Sequence, residues 1–207
     1  MAAFVLLALG ALSGTVRSAF SLVSSRVAAR VWAPDYALVG DSLTQNCKWL
    51  GSLAWNPMSI VNLAAGGAVI RQIVPQVDEA RRLGAKNVLI AAGMNDLILD
   101  KAPIERIEFD FDILLRGLGP EQRAIVTLIP YTSDSALSSR IDTANSAIRR
   151  LAERRTIEVI DLNLGLSANG TRKPDMTSDG VHLTEAACSI WREMLLRKLN
   201  ETSPPPA

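Results

Sequence analysis

Five short apolar runs, separated by longer stretches of a different pattern, constrain the fold of this chain more than any other feature. The runs span residues 36–39, 58–63, 87–92, 124–129 and 157–162. Most of them are almost continuously apolar, which is typical of strands that are covered on both faces. Strands that alternate with helices predict an α/β fold, in which helices lie on both faces of a parallel sheet. In such a sheet, ligands bind beyond the carboxyl ends of the strands.

Helical patterns occupy several of the intervening stretches. Residues 70–83 and 138–154 each place apolar side chains on one side, and residues 184–199 form the closing helical stretch. Pro75 lies within the first of these. Because proline is tolerated only in the first turn of a helix, we expect the regular helix to begin near Pro75. Thr184 is the expected N-cap of the last helix.

The length and charge of the chain limit its domain organisation and its partners. At 207 residues it fits one domain with a full hydrophobic core, which we expect to span residues 34–200. The net charge of +1 gives no electrostatic footprint for nucleic acid. The end of the chain, residues 201–207, is proline-rich and is expected to be disordered.

The N-terminal residues 1–33 differ from the rest of the sequence. Residues 2–16 carry no charge, residues 4–9 are a compact apolar run, and no acidic residue precedes Asp35. The uncharged stretch is shorter than the roughly 20 residues of a membrane-spanning helix, and it favours a signal-like or membrane-anchor segment. We therefore expect export or membrane association through this segment. The alternatives are a transit peptide, an N-terminal helix packed on the domain, and a cytoplasmic location.

The chain contains two cysteines, Cys47 and Cys188. They are far apart in the sequence and fit neither a zinc-binding pattern nor a disulfide framework. We expect them to be two small, buried apolar residues, with a disulfide between them as the alternative.

A serine follows the first predicted strand, in Gly-Asp-Ser-Leu-Thr at residues 40–44. Ser42 precedes a helical stretch, residues 43–53, and a serine in that place is usually an N-cap. The same position exposes its hydroxyl and directs backbone N–H groups toward a developing oxyanion. The motif is not the Gly-x-Ser-x-Gly nucleophile elbow, so these residues alone are weak evidence for catalysis.

Two further short motifs follow the next predicted strands. Residues 62–67 end in two glycines, which form turns and also let a backbone N–H approach a substrate. Residues 93–96, Gly-Met-Asn-Asp, include Asn95, whose amide can donate to an oxyanion without titrating. Either motif alone is most often a polar turn, and together they are candidates for an oxyanion hole.

The only histidine of the chain is His182, in Ser-Asp-Gly-Val-His at residues 178–182. A tight turn at Gly180 would lay the Asp179 carboxylate against the imidazole Nδ1. Asp179 would then fix the tautomer and stabilise the imidazolium that forms when His182 takes a proton from Ser42. A serine, an imidazole and an orienting carboxylate are what serine-based acyl transfer needs.

Taken together, these four motifs resemble the SGNH hydrolases, the GDSL-type esterase and lipase family, over residues 36–199. The family's blocks match at Ser42, Gly67, Asn95, Asp179 and His182. Gly67 is chosen over Gly66 because the family's glycine typically lies five residues after the asparagine, here Asn62. The chain departs from many members at Val69, where they carry Thr or Ser.

The resemblance implies a fold, a mechanism and a set of roles. The fold would be a flavodoxin-like three-layer α/β/α sandwich with a five-stranded parallel sheet. Ser42 would be the nucleophile, His182 the general base and acid, and Asp179 the orienting carboxylate. The backbone N–H groups of Ser42 and Gly67 and the Asn95 side chain would form the oxyanion hole, with no metal and no organic cofactor.

The expected function is hydrolysis of carboxylic esters through an acyl-enzyme. The chain is short and has no obvious long insertion for a lid, which favours short acyl groups such as acetyl, on a small molecule or a carbohydrate. The alternative enzyme is a lysophospholipase or thioesterase that acts on longer chains. An acyltransferase, or a catalytically silent binding module on the same fold, is a further alternative.

Overall fold

The sheet has five parallel strands in the order β2–β1–β3–β4–β5, in a computed structural model that describes residues 33–47 and 59–201. The strands are β1 (Tyr36–Gly40), β2 (Ile60–Asn62), β3 (Asn87–Ala91), β4 (Arg123–Thr127) and β5 (Glu158–Ile160). This is the strand order of flavodoxin-like folds, in which ligands bind where the order reverses, between β1 and β3. The predicted α/β fold with a five-stranded parallel sheet is therefore confirmed.

Helices connect the strands and close the chain. They are α1 (Ser42–Asn46), α2 (Ile70–Arg82), α3 (Met94–Ile98), α4 (Ile104–Arg116), α5 (Ser138–Glu153), α6 (Asn163–Leu166) and α7 (Glu185–Glu201). A small hairpin of β6 (Ser167–Ala168) and β7 (Thr171–Arg172) precedes α7. Because crossovers between parallel strands are right-handed, α2, α4 and α5 lie on one face of the sheet and α1 lies on the other.

The core is made by the apolar strands and by one side of each long helix. Residues 37–39 of β1 are fully buried, as expected for a central strand covered on both faces. In α4, Ile107, Phe111 and Leu114 are spaced for one side of a helix and are also fully buried. The prediction did not name α3 or α4, although the apolar spacing in α4 carries the signal. Thr184 accepts a hydrogen bond from the Ala187 N–H, which confirms it as the N-cap of α7.

The expectation that the second helix begins near Pro75 was wrong. The helix begins at Ile70, and Pro75 lies inside it. Two side chains stabilise the early start, since the Asp96 carboxylate accepts the Ile70 N–H at 3.0 Å and the Gln72 amide accepts the Val69 N–H at 3.1 Å. These contacts satisfy backbone donors that a helix start otherwise leaves without a partner.

The last two strands end before their apolar runs do, because side chains take over the backbone groups near the ends of those runs. The Leu128 N–H still donates to the Ile160 carbonyl of β5 at 2.9 Å. The N–H of Ile129 donates to Asn145 Oδ1 at 2.8 Å, just after the end of β4. After β5, the Asp161 carboxylate accepts the Asn163 N–H at 3.0 Å and turns the chain into α6.

Several predictions concern residues outside the described ranges. These are the N-terminal segment 1–32, most of the helical stretch 43–53, the start of the second strand at Met58, and residues 202–207. Glu201, expected in the tail, is the last residue of α7. Within residues 33–47 and 59–201, none of the helices is both long and apolar enough to span a bilayer.

Candidate active site

Ser42 is the first residue of α1, directly beyond the carboxyl end of β1. The preceding residue, Asp41, caps the helix, since its Oδ1 accepts the Leu43 N–H at 2.9 Å. Asp41 is buried, and this burial raises the pKa of its carboxyl from 3.8 to about 6. The strand and the capped helix therefore hold Ser42 in a short turn at the end of the sheet where ligands are expected.

A chain of hydrogen bonds runs from Ser42 through His182 to Asp179. The imidazole Nε2 of His182 lies 3.0 Å from the Ser42 Oγ, and its Nδ1 lies 2.6 Å from the Asp179 Oδ2. Ser42 and His182 are 140 residues apart in the sequence, so only the fold brings them into contact. Asp41, although closer to Ser42 in the sequence, makes its contact with the backbone of α1 and not with the imidazole.

The turn that carries Asp179 and His182 is shaped by its own backbone. Gly180 has φ +91°, a conformation that residues with a side chain rarely adopt. Its N–H donates to Thr177 Oγ1 at 2.8 Å, and its carbonyl accepts the Ser133 N–H at 2.9 Å. Thr177 also donates to the His182 carbonyl at 2.9 Å, which closes the turn on the far side of the histidine.

Asp179 is held as a carboxylate by the residues that follow it. Besides the imidazole, it accepts the backbone N–H groups of Val181 at 3.0 Å and of His182 at 2.7 Å. The side-chain bond to His182, followed by these two backbone bonds, holds the pKa of the Asp179 carboxyl well below its usual range. The side chains of Asp179 and His182 are 52% and 39% exposed, so the site is open to solvent.

The two candidate glycines form an exposed turn beside Ser42. The Ala68 N–H donates to the Ala65 carbonyl at 3.3 Å, and Gly67 has φ +76°, as the third residue of a type II turn requires. A side chain at Gly66 would start 3.9 Å from the Ser42 Cβ and 3.0 Å from the Gln45 amide oxygen, whereas one at Gly67 would meet no described atom within 4 Å. The turn therefore leaves open space for a ligand at Gly67.

Asn95 lies in the first turn of α3, beyond the carboxyl end of β3. It is buried, and its Nδ2 donates to the carbonyl of Ala68 at 3.0 Å, which ties it to the glycine turn. An amide nitrogen carries two hydrogens, so this bond orients the group and leaves a second N–H to donate. Gly93, the N-cap residue just before the helix, has φ +110°, and a side chain there would meet Ile129 Cδ1 at 2.7 Å.

Cys47 and Cys188 form a disulfide, with a Cα–Cα distance of 5.6 Å. The expectation of two unlinked apolar residues was therefore wrong in its main point, although both residues are buried. The two cysteines are 141 residues apart, and only the tertiary structure brings α7 against the end of α1. The disulfide links the helix that begins with Ser42 to the helix that follows His182.

Sequence reasoning missed Arg172, whose side chain contacts the turn that carries Asp179 and His182. Arg172 is 3% exposed, and its guanidinium donates to the carbonyl of Val181 while its backbone N–H donates to Thr132 at 2.9 Å. Burial lowers the pKa of the Arg172 guanidinium to about 10, and the nearby Asp179 carboxylate opposes this shift. An arginine within a short polar stretch of sequence carries no local signal of such a contact.

The arrangement can perform nucleophilic chemistry at Ser42. If Nδ1 of His182 carries the ring proton and donates a hydrogen bond to the Asp179 carboxylate, Nε2 is left to accept the proton of the Ser42 hydroxyl. Ser42, the Gly66–Gly67 turn and the Asn95 amide lie around one end of the sheet. In the part of the chain that the structure describes, no group of three or more His, Cys, Asp or Glu residues is arranged to hold a metal.

Comparison with other sequences gives distant relatives of larger size. The chain is 23% identical over 174 residues to an N-acylneuraminate cytidylyltransferase of Streptococcus agalactiae serotype V, which covers 83% of this chain and 38% of that protein. A serotype III protein of the same name is 25% identical over 129 residues, covering 61% of this chain and 31% of that protein. The chain thus spans less than two-fifths of the length of these relatives.

Solved structures share the fold at low sequence identity. A GDSL-like lipase from Bacteroides thetaiotaomicron has a TM-score of 0.72 and 15% identity, and the match covers 90% of this chain and all (100%) of that one. A lipase/acylhydrolase from Enterococcus faecalis has a TM-score of 0.67 and 18% identity, with 84% and 99% covered. A carbohydrate esterase family 3 protein from Talaromyces cellulolyticus has a TM-score of 0.64 and 17% identity, with 81% and 97% covered.

The family itself is shown by sequence. A sequence model of the GDSL-like Lipase/Acylhydrolase family matches residues 38–188, which is well over half of the chain and includes every candidate site residue from Ser42 to His182. The strand order and the geometry around Ser42 agree with this match. The chain therefore belongs to the GDSL-like Lipase/Acylhydrolase family.

Proposed function

We propose that this domain hydrolyses short-chain carboxylic esters, with Ser42 as the nucleophile and an acyl-enzyme as the intermediate. The observation that carries the proposal is the continuous path from the Ser42 Oγ to His182 Nε2 at 3.0 Å and from His182 Nδ1 to Asp179 at 2.6 Å. Such a path is what activates a serine hydroxyl, which is a weak nucleophile by itself.

In the first half-reaction, the Ser42 Oγ attacks the ester carbonyl while its proton passes to His182 Nε2. The tetrahedral intermediate collapses, the bond to the alcohol oxygen breaks, and His182 returns the proton to the leaving alcohol. In the second half-reaction, water attacks the carbonyl of the acyl-enzyme while His182 takes a proton from the water. The bond to the Ser42 Oγ then breaks, the acid departs, and His182 returns the proton to Ser42. Asp179 keeps the imidazole in one orientation and stabilises its charged form.

The oxyanion of each tetrahedral intermediate would be bound by the Ser42 N–H, the Gly67 N–H and the Asn95 Nδ2. Three observations support this assignment. Ser42 begins a helix, Gly67 lies in an exposed turn beside it, and Asn95 is oriented by its bond to Ala68. Donors that are held before the reaction stabilise the charge as it develops, without the cost of reorganisation.

We further propose that the acyl group is acetyl and that the alcohol is a carbohydrate. The exposure of Asp179 and His182 and of the glycine turn supports an open site that a bulky polar alcohol can reach. The carbohydrate esterase from Talaromyces cellulolyticus shares the fold, and the name of the Streptococcus agalactiae relatives refers to a sugar acid, N-acylneuraminate.

The test is hydrolysis of p-nitrophenyl esters from acetate to palmitate, with Ser42→Ala as the control. The proposal expects a maximum at acetate that disappears in the variant, followed by release of acetate from O-acetylated sugars, including an O-acetylated N-acylneuraminate. A maximum at long chains would contradict the acetyl proposal and favour a lysophospholipase or thioesterase. A folded protein without activity on any ester would contradict hydrolysis itself and leave a transferase or a binding module.

The compartment is a separate proposal. We propose that the domain is exported or held at a membrane by residues 1–33, and the Cys47–Cys188 disulfide supports an oxidising environment. The test is to count free thiols in protein purified under denaturing conditions from its native compartment, before and after reduction. Two free thiols before reduction would contradict the proposal.

A further inference from the structure

The side chain of Gln76, in α2, binds both backbone groups of Gly40. The Gly40 N–H donates to the amide oxygen at 2.8 Å, and the amide nitrogen donates to the Gly40 carbonyl at 3.0 Å. Gln76 is 8% exposed, so these bonds form largely away from water. Gly40 lies at the end of β1, two residues before Ser42, and nothing in the reaction described above uses Gln76 directly.

Gly40 also joins the segment that carries Ser42 (residues 40–42, the serine segment) to the turn of residues 65–68 (the glycine turn). Its carbonyl accepts a second hydrogen bond from the Ala65 N–H at 3.0 Å, one residue before Gly66. The backbone is closely packed here, since a side chain on Gly40 would start 2.4 Å from the Ala91 carbonyl and 2.5 Å from Thr44 Oγ1. A shift of Gly40 therefore moves the segments that carry Ser42 and Gly67 relative to each other.

The helix that carries Gln76, α2, also contacts the segment that carries Asn95. The Ile70 N–H, at the start of α2, donates to the Asp96 carboxylate at 3.0 Å, and Asn95 donates to Ala68 just before the helix. Asp96 is 1% exposed, so this end of the helix is anchored in the core. α2 thus contacts all three segments that would supply oxyanion donors, and Gln76 is its contact with the serine segment.

We infer that Gln76 is a positioning residue for ester hydrolysis, an inference that rests on the proposed function. By binding Gly40, Gln76 fixes the position of the serine segment relative to the glycine turn. A carboxamide suits this role because it offers a donor and an acceptor side by side, matching the C=O and N–H of one residue. Without it, the Gly40 N–H loses the acceptor at 2.8 Å and the Gly40 carbonyl keeps only the bond from the Ala65 N–H, so the end of β1 must rearrange to satisfy the N–H. A misplacement of about 1 Å at reacting groups can cost about 100-fold in rate.

The experiment compares Gln76→Met with Gln122→Met. Gln122 is a matched control, because its amide also binds two backbone groups: it accepts the Gly119 N–H at 2.9 Å and donates to Ala85 at 2.8 Å. These contacts precede β4 and β3, at the end of the sheet opposite Ser42. Both substitutions remove the same kind of contact, and only one of them removes it beside the nucleophile.

The readout is kcat and KM for p-nitrophenyl acetate per active site, with the sites counted by titration with a fluorophosphonate. Gln76→Met is expected to lower kcat by about 10- to 100-fold and to change KM little, since the lost positioning acts in the transition state. Gln122→Met is expected to retain the wild-type kcat. A Gln76→Met protein with wild-type kcat, or equal losses of kcat in both variants, would overturn the inference.

A second variant covers the case in which Gln76→Met fails to fold. Gln76→Glu keeps the shape and the acceptor oxygen and, as a carboxylate, cannot donate to the Gly40 carbonyl. We expect it to lower kcat at neutral pH by at least about tenfold, and an unchanged kcat would overturn the inference. Inactive wild-type protein would overturn the proposed function together with this inference, whereas active wild type with unaffected Gln76 variants would overturn the inference alone.

Discussion

The Asp179 carboxylate binds His182 at two points, since one oxygen lies 2.6 Å from the imidazole Nδ1 and the other accepts the His182 backbone N–H at 2.7 Å. The same group therefore fixes both the position of the residue and the orientation of its ring. A single side chain three positions earlier accomplishes this because Gly180 reverses the chain between them.

Asp179→Asn should separate these two contributions. An asparagine can still accept the backbone N–H groups, but its amide nitrogen facing Nδ1 would favour the wrong imidazole tautomer. We expect kcat for p-nitrophenyl acetate to fall by about 10²- to 10⁴-fold with a small change in thermal stability. A variant with near wild-type kcat would show that Asp179 does not orient the base during the reaction.

Asn95→Ala tests the oxyanion hole. The substitution removes the donor that we propose for the oxyanion and also the bond to the Ala68 carbonyl. Loss of one such donor costs about 10²- to 10³-fold in turnover, so the variant should be slow and still measurable above Ser42→Ala. An effect confined to KM would indicate that Asn95 binds the substrate in its ground state only.

The Cys47–Cys188 disulfide should stabilise the fold and hold the two halves of the site together. Replacing both cysteines with serine, or reducing the bond, is expected to lower the free energy of unfolding by about 2–4 kcal/mol, measured by urea denaturation. Because the bond joins the segments of Ser42 and His182, kcat should also fall at temperatures where the protein remains folded. Incorporation of two alkyl groups into the unreduced, denatured protein would show that the thiols are not paired, and a double-serine variant with wild-type stability would contradict the prediction.

The buried Asp41 carboxyl predicts a pH dependence of stability. Its pKa rises from 3.8 to about 6 on folding, so between these values the unfolded chain ionises while the folded protein keeps the proton. The stabilisation of the folded state by protonated Asp41 is fully present below pH 3.8 and is lost as the pH rises through about 6. The difference between the two pKa values corresponds to about 3 kcal/mol in the free energy of unfolding.

Asp41→Asn should remove this dependence, because an asparagine does not ionise and still caps a helix. The free energies of unfolding of both proteins are measured by urea denaturation at about pH 4 and about pH 7. The value for the variant minus that for wild type should be larger at pH 7 than at pH 4, by up to about 3 kcal/mol. A difference between the two proteins that does not change with pH would contradict the assignment.

The sequence predicted those features that arise from local patterns. The apolar runs of β1, β3 and β4 indicated buried strands, and short motifs after them pointed to Ser42 and Asn95. Asp179 and His182 could be related because three residues with a glycine between them make a turn by themselves. In each case the signal lies within a few neighbouring residues, which is the range over which side-chain period and turn chemistry act.

Where local preference and tertiary contact compete, the sequence was a weaker guide. Pro75 favours a helix start in its own neighbourhood, yet the Asp96 carboxylate, 26 residues after Ile70, stabilises an earlier one. The end of β5 is set by Asp161 rather than by the length of its apolar run.

Local patterns in the sequence were enough to predict a five-stranded α/β architecture and to suggest residues whose chemistry suits acyl transfer. The packing of the elements, and not any local pattern, places Ser42 3.0 Å from His182, bonds Cys47 to Cys188 and brings Gln76 to Gly40. These contacts join residues 140, 141 and 36 positions apart. Periodicity and turn preference carry no information at such separations, because the distances depend on how the helices pack on the sheet.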